Sequence, residues 1–133
     1  MAQNAEVKVL KISLLVVGLL WLISGLGIFF APAMIGKLIV GNQVDLIMFR
    51  LMGGIHIALG IGALMVYSKP EKQGIFVLTI ALVNLLAGLA FLFGWIMREY
   101  IGGPGTIIIF AAILALVLSA LVFWGRSQAR DIL

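Results

Sequence analysis

The single histidine of this sequence, His56, is the residue whose type most readily supports chemistry near neutral pH, since imidazole can bind a ligand, exchange a proton or coordinate a metal. It lies near the middle of the apolar stretch Asp45–Tyr67, and Asn84 lies near the middle of the next apolar stretch. If the chain folds back about Pro70, both residues lie at a similar depth. The favoured interpretation of the pair is a structural interhelical hydrogen bond, and the alternative is a candidate site for a lipophilic ligand (lipid, quinone or pigment).

The sequence lacks most other residues and motifs that support catalysis or metal binding. There is no cysteine, and no aspartate or glutamate lies inside an apolar stretch to complete a proton relay. We find no serine–histidine–acid set, paired carboxylates or phosphate-binding loop, so we predict neither an enzyme nor a metal site. No cofactor is predicted either. Haem or pigment ligation by His56 stays open, and for haem Met52, Met65 or the histidine of a second copy would supply the second axial ligand.

Small residues at four-residue spacing indicate where helices can approach closely in lipid. One row lies in the stretch that holds His56, and a second lies in the last apolar stretch. They are predicted to serve packing within the bundle or, alternatively, an interface with a partner or a second copy. The residues are Gly54, Ala58, Gly62, Ala111, Ala115 and Ser119.

Arg50 precedes His56 by six residues, which places the two side chains about 240° apart on a helix and at different depths. We therefore expect Arg50 to belong to a different environment. Together with Arg98 and Glu99, which close the third apolar stretch, it is predicted to anchor the outer membrane face. Pairing with Asp45 or Glu99, or contact with lipid phosphates, would serve this role.

Composition determines which elements position these residues. Of 133 residues, 64% are hydrophobic and 11% are charged, and the mean hydropathy is +1.27. A soluble domain has about a quarter charged residues, so this chain needs lipid as its solvent. We predict an all-α integral membrane bundle, one domain over residues 1–133. Nucleic-acid binding is excluded, because the basic residues lie at the ends of apolar stretches.

Four spans are predicted, at about residues 12–30, 46–67, 74–97 and 106–124. The first is longer than a signal-peptide core and is expected to remain uncleaved. A short interfacial helix is expected between spans one and two, where Met34, Ile35 and Leu38 share a face. Asp45 is a candidate N-cap for span two, and Ser68 with Glu71 has capping-box spacing before span three. Spans two and three should form an antiparallel hairpin.

Four spans bring both termini to one side of the membrane. Six of the nine lysines and arginines fall on that side, namely Lys8, Lys11, Lys69, Lys72, Arg126 and Arg130. The positive-inside rule therefore predicts that both termini are cytoplasmic. The membrane is expected to be a bacterial or archaeal inner (cytoplasmic) membrane.

The run Arg50-Leu51-Met52-Gly53-Gly54, followed by Ala58-Leu59-Gly60, resembles the arginine–glycine–glycine helix of DoxX-like four-helix bacterial membrane proteins. The resemblance implies a four-helix fold and, for some members, partnership with quinone-linked or redox assemblies. We carry three functions forward: a non-catalytic accessory or scaffold subunit that packs against membrane partners or itself, a binder of a lipophilic ligand around His56 and Asn84, and a small transporter or channel. The third is disfavoured because the spans lack acidic residues.

Overall fold

A computed structural model describes residues 2–40, 45–98 and 105–133. It contains four long helices and one short helix, which confirms the predicted all-α fold and the short helix between the first two spans. The four long helices are each apolar and long enough to cross a membrane. The helices are α1 (Ala2–Phe30), α2 (Pro32–Val40), α3 (Leu46–Ser68), α4 (Gly74–Ile96) and α5 (Gly105–Gln128).

The helix boundaries follow local signals. Pro32 begins α2, where a helix tolerates proline because the first N–H groups have no intrahelical partner. Asp45 caps α3 as predicted: its carboxylate accepts hydrogen bonds from the N–H groups of Ile47 at 2.9 Å and Met48 at 3.1 Å. The capping box before α4 is wrong. Ser68 instead donates to the Met65 carbonyl oxygen of α3, and α4 begins at Gly74 without a side-chain cap.

The long helices pack in the order α3, α1, α5, α4, with neighbours antiparallel, and α3 and α4 meet only near the turn that joins them. The α1–α3 contact is the most extensive, followed by α4–α5 and then α1–α5, while α2 rests against α1 and α3. Four glycines bring α1 and α3 into backbone contact. A Cβ on Gly60, for example, would lie 2.7 Å from the Leu22 nitrogen and 2.9 Å from the Gly18 carbonyl oxygen.

The predicted α3–α4 hairpin needs a correction. The two helices are joined by a short turn, but they pack on different partners and contact each other little. Gly62 faces the ring of Phe76 near the turn, and an open pocket of about 450 Å³ lies there between the helices. Helices that are consecutive in sequence usually pack against each other, but here the glycine-lined face of α3 packs on α1.

The hydrophobic core lies at the end of the bundle that also holds the turn between α3 and α4, the start of α1 and the end of α5; we call this the terminal end. Here Gly125 of α5 packs on the backbone of Leu10 in α1. Both ends of the described chain are therefore at the same end of the bundle, as an even number of spans requires. The buried residues of this core are Leu10, Leu14, Val17, Ala63, Val66, Val77, Ile80, Ala81, Leu118, Val122 and Ala129.

Candidate functional site

His56 lies on the face of α3 that packs against α1. Its half-buried ring meets the indole of Trp21 edge-on, with centroids 6.4 Å apart and planes at 69°. His56 faces α1 because it lies three residues after Gly53 and four residues before Gly60, which places all three on one side of the helix. Gly53 and Gly60 form the close contact with α1. The candidate histidine therefore lies in the α1–α3 contact.

The hydrogen bond of the ring determines which nitrogen is available. His56 Nδ1 lies 2.8 Å from the carbonyl oxygen of Met52, one turn earlier in α3. A carbonyl oxygen can only accept, so Nδ1 donates and carries the proton. In the neutral ring, Nε2 is then the nitrogen with a lone pair, which can accept a proton or bind a metal ion.

Asn84 has different surroundings. It is 2% exposed, and its side-chain amide donates to the Ile80 carbonyl oxygen of its own helix at 2.9 Å. The same part of α4 packs on α5, where Ser119 donates to the Ala81 carbonyl oxygen at 2.8 Å. Among the hydrogen bonds of the described residues, none joins Asn84 to His56. His56 therefore contacts α1, whereas Asn84 is buried and forms its hydrogen bond within α4.

The two predicted small-residue rows have different environments. On α5, Ser119 is 1% exposed and Ala111 and Ala115 are half-buried, so this row lies within the bundle. On α3, Ala58 is exposed, and a Cβ on Gly54 would meet only the ring of Phe29, at 3.9 Å. Gly62 is covered by α4, because a Cβ there would lie 2.7 Å from the Phe76 ring. We call Gly54 and Ala58 the outward row of α3.

The residues that join α1 to α3 were not among the predicted interface residues. They are Gly18 and Gly25 on α1, and Gly53 and Gly60 on α3. Each pair is seven residues apart, a spacing that keeps them on one side of a left-handed helix pair. That shared spacing in two different spans was the signal in the sequence that could have identified them.

The predicted outer-face anchors lie at the opposite end from the terminal end. Arg50 is exposed in the second turn of α3. Arg98 is exposed just after α4, with a positive φ of 56°. Glu99 lies outside the described residues. The position of Arg50 and Arg98 near helix ends is compatible with contact to lipid headgroups.

Neither family models, curated proteins nor solved structures match this chain. The likeness to DoxX-like proteins in Arg50–Gly60 therefore stays an expectation. Within residues 2–40, 45–98 and 105–133, no three His, Asp or Glu side chains come together as a metal site would need.

Proposed function

We propose that this protein is a non-catalytic subunit of a membrane assembly and that it binds a transmembrane helix of a partner through the outward row of α3. The observation that carries the proposal is the position of Gly54 and Ala58. Ala58 is exposed, and Gly54 lies at the edge of the α1–α3 contact, where a Cβ would meet only the Phe29 ring, at 3.9 Å. Among the long helices, α3 packs mainly on α1.

Burial supports this choice of surface. In an 18-residue apolar stretch of α3, 17% of the residues are buried, against 28% for the corresponding stretches of α1 and α4. Exposed leucines and isoleucines in lipid need no explanation, because acyl chains solvate them as well as protein does. Small residues differ, since they allow two helix backbones to approach and gain dispersion contacts that lipid does not supply equally well.

Two expectations from the sequence agree with a subunit role. The run Arg50–Gly60 resembles DoxX-like proteins, some of which are partners of quinone-linked or redox assemblies. The lysines and arginines of the terminal end favour cytoplasmic termini in a bacterial or archaeal inner membrane. A partner helix would then meet α3 between Arg50 at the outer face and the α3–α4 turn at the cytoplasmic face.

The test compares assemblies extracted gently from native membranes. Native mass spectrometry should find the wild-type chain of 14.3 kDa in a larger complex. Gly54→Leu and Ala58→Leu should release it, because a large side chain separates the helices. Ala120→Leu is the matched control, since Ala120 is also small and exposed but lies on α5. Circular dichroism checks that all variants keep their helices.

Each outcome of that experiment is decisive. A wild-type chain that runs as a monomer refutes the proposal, and so does loss of the complex in Ala120→Leu alone. Complexes whose masses are multiples of 14.3 kDa would show that the partner is a second copy of this chain. Retention of the partner by both leucine variants of α3 would place the contact elsewhere.

A second candidate function, a binder of a lipophilic molecule, rests on His56. The bond from Nδ1 to Met52 leaves Nε2 as the acceptor of a ring whose centroid lies 6.4 Å from that of Trp21. Such an atom suits a ligand that donates a hydroxyl proton, as a quinol does, or one that offers a metal ion, as haem and some pigments do. A transporter or channel is the least supported of the three functions, because no acidic residue lies within the described parts of the four spans.

A further inference from the structure

Three basic side chains converge on one pocket at the terminal end. The pocket has a volume of about 310 Å³ and is lined by Lys72, Gly74, Ile75, Arg126, Arg130 and Leu133. The cations come from three separate segments: the turn between α3 and α4, the last turns of α5, and the tail that follows α5. Like charges repel when they are brought together, so such a cluster is stabilised by an anion between them.

Two hydrogen bonds hold these segments in place, one between backbone groups and one from the Arg126 side chain. Lys72 adopts a positive φ of 60°, and its N–H donates to the Ile132 carbonyl oxygen at 2.9 Å. Across the same pocket, Arg126 Nε donates to the Gly74 carbonyl oxygen at 3.4 Å. The turn, the tail and the start of α4 are thus tied to one another, and the pocket is part of the folded structure.

The start of α4 adds to the positive potential. Gly74 and Ile75 are its first two residues, and Gln73 provides no side-chain cap for the first N–H groups. The amino end of a helix carries a partial positive charge that favours anions. The acidic side chains closest in sequence, Glu71 and Asp131, are exposed and do not line the pocket. A main-chain oxygen of Leu133 does lie beside the start of α4, 3.1 Å from where a Cβ on Gly74 would be.

An apolar surface adjoins the cations. Ile75 is 86% exposed and lies on a helix that crosses the membrane, so its side chain faces the lipid. A ligand at this place can therefore have an anionic group against the cations and a hydrocarbon portion along α4. Free phosphate has no hydrocarbon portion and would contact the cations only.

We propose that this pocket binds the phosphate group of an anionic phospholipid, with its acyl chains alongside Ile75. Lys72 and Arg130 supply charge from the turn and the tail, and Arg126 supplies a guanidinium fixed by Gly74. The site uses α4, α5 and the tail, so it is independent of the outward row on α3. Anionic lipids are enriched at the cytoplasmic surface, where the positive-inside rule places this end of the bundle.

Binding of phosphatidylglycerol to the full chain in phosphatidylcholine nanodiscs, followed by native mass spectrometry, tests the proposal. The double variant Lys72→Gln/Arg130→Gln should bind phosphatidylglycerol about 25-fold more weakly, taking roughly a factor of five for each basic residue. Arg126 is left in place because it bonds to Gly74. The matched control is Lys8→Gln/Lys69→Gln, which removes two exposed lysines from the same end but from outside this pocket.

Equal weakening in both double variants would show that general surface charge attracts the lipid, and would overturn the proposal. So would equal retention of phosphatidylglycerol and phosphatidylcholine by the wild-type chain. A third arm adds inorganic phosphate: if phosphate alone displaces the lipid at low concentration, the ligand is free phosphate and the lipid assignment is wrong. Unchanged thermal unfolding of each variant shows that folding is not the cause.

Discussion

Gly25 of α1 and Gly53 of α3 are in reciprocal backbone contact. A Cβ on Gly25 would lie 2.9 Å from the Gly53 carbonyl oxygen, and a Cβ on Gly53 would lie 2.9 Å from the Gly25 carbonyl oxygen. Real Cβ atoms essentially never come so close to backbone atoms, and neither backbone can yield without moving its helix. The contact positions His56 as well, because a Cβ on Gly25 would also lie 2.9 Å from the His56 Cβ.

We therefore expect Gly53→Ala and Gly25→Ala to lower the free energy of unfolding by about 1–3 kcal/mol each, as overpacking of a close contact does. Gly54→Ala is the neighbouring control. Its Cβ would meet only the Phe29 ring at 3.9 Å, and alanine favours the helix by roughly 0.5–1 kcal/mol over glycine. Unfolding titrations in one detergent measure all three, and a Gly53→Ala protein as stable as Gly54→Ala would contradict the backbone contact.

Ser119 is expected to stabilise the α4–α5 pair. Its hydroxyl donates across the two helices to the Ala81 carbonyl oxygen, and the residue is 1% exposed. Ser119→Ala should cost about 0.6–1.7 kcal/mol, the range for interhelical hydrogen bonds in membranes. Ser127→Ala is the control, because Ser127 is exposed and bonds within its own helix to the Trp124 carbonyl oxygen. Equal unfolding free energies of the two variants would argue against an interhelical role.

The number and the lengths of the spans followed from the sequence, because a bilayer requires apolar helices of about 20 residues and few charges between their ends. The cap at Asp45 was also predictable, since a carboxylate one residue before a helix accepts its first N–H groups. The start of α1 at Ala2 was harder to predict. The predicted span began at Ile12, but the helix begins ten residues earlier, before the apolar segment.

The order of the helices was not predictable from one sequence. α3 carries small residues on two neighbouring faces, and Gly53 and Gly54 differ by only 100° around the helix. Which face packs inward depends on the complementary glycines of α1, a tertiary relationship between distant parts of the chain. The predicted pairing of His56 with Asn84 assumed that α3 packs along α4. This assumption is wrong, because α3 packs on α1 and contacts α4 little.

The tail is predicted to fix the α3–α4 turn. Ile132 and Leu133 are half-buried and pack against the core, and the Ile132 carbonyl oxygen accepts from the Lys72 N–H. Ile132→Ala/Leu133→Ala should lower the unfolding free energy by about 1–3 kcal/mol, less than for fully buried side chains. Hydrogen exchange at the Lys72 amide should accelerate, while that at the Ile47 amide, bonded to Asp45, should not. Equal acceleration at both amides would indicate global destabilisation rather than loss of the local contact.

His56 is best tested by two substitutions that separate packing from nitrogen chemistry. His56→Phe keeps a ring beside Trp21 but has no nitrogen, whereas His56→Ala removes both. We expect His56→Ala to lower stability by about 1–2 kcal/mol, since an aromatic pair and buried area are lost, and His56→Phe to retain most of it. If the protein binds a lipophile through Nε2, the co-purified ligand or its absorption should disappear from both variants. If ligand content in His56→Phe equals that of the wild type, the lipophile hypothesis for His56 is wrong and the ring serves the α1–α3 contact alone.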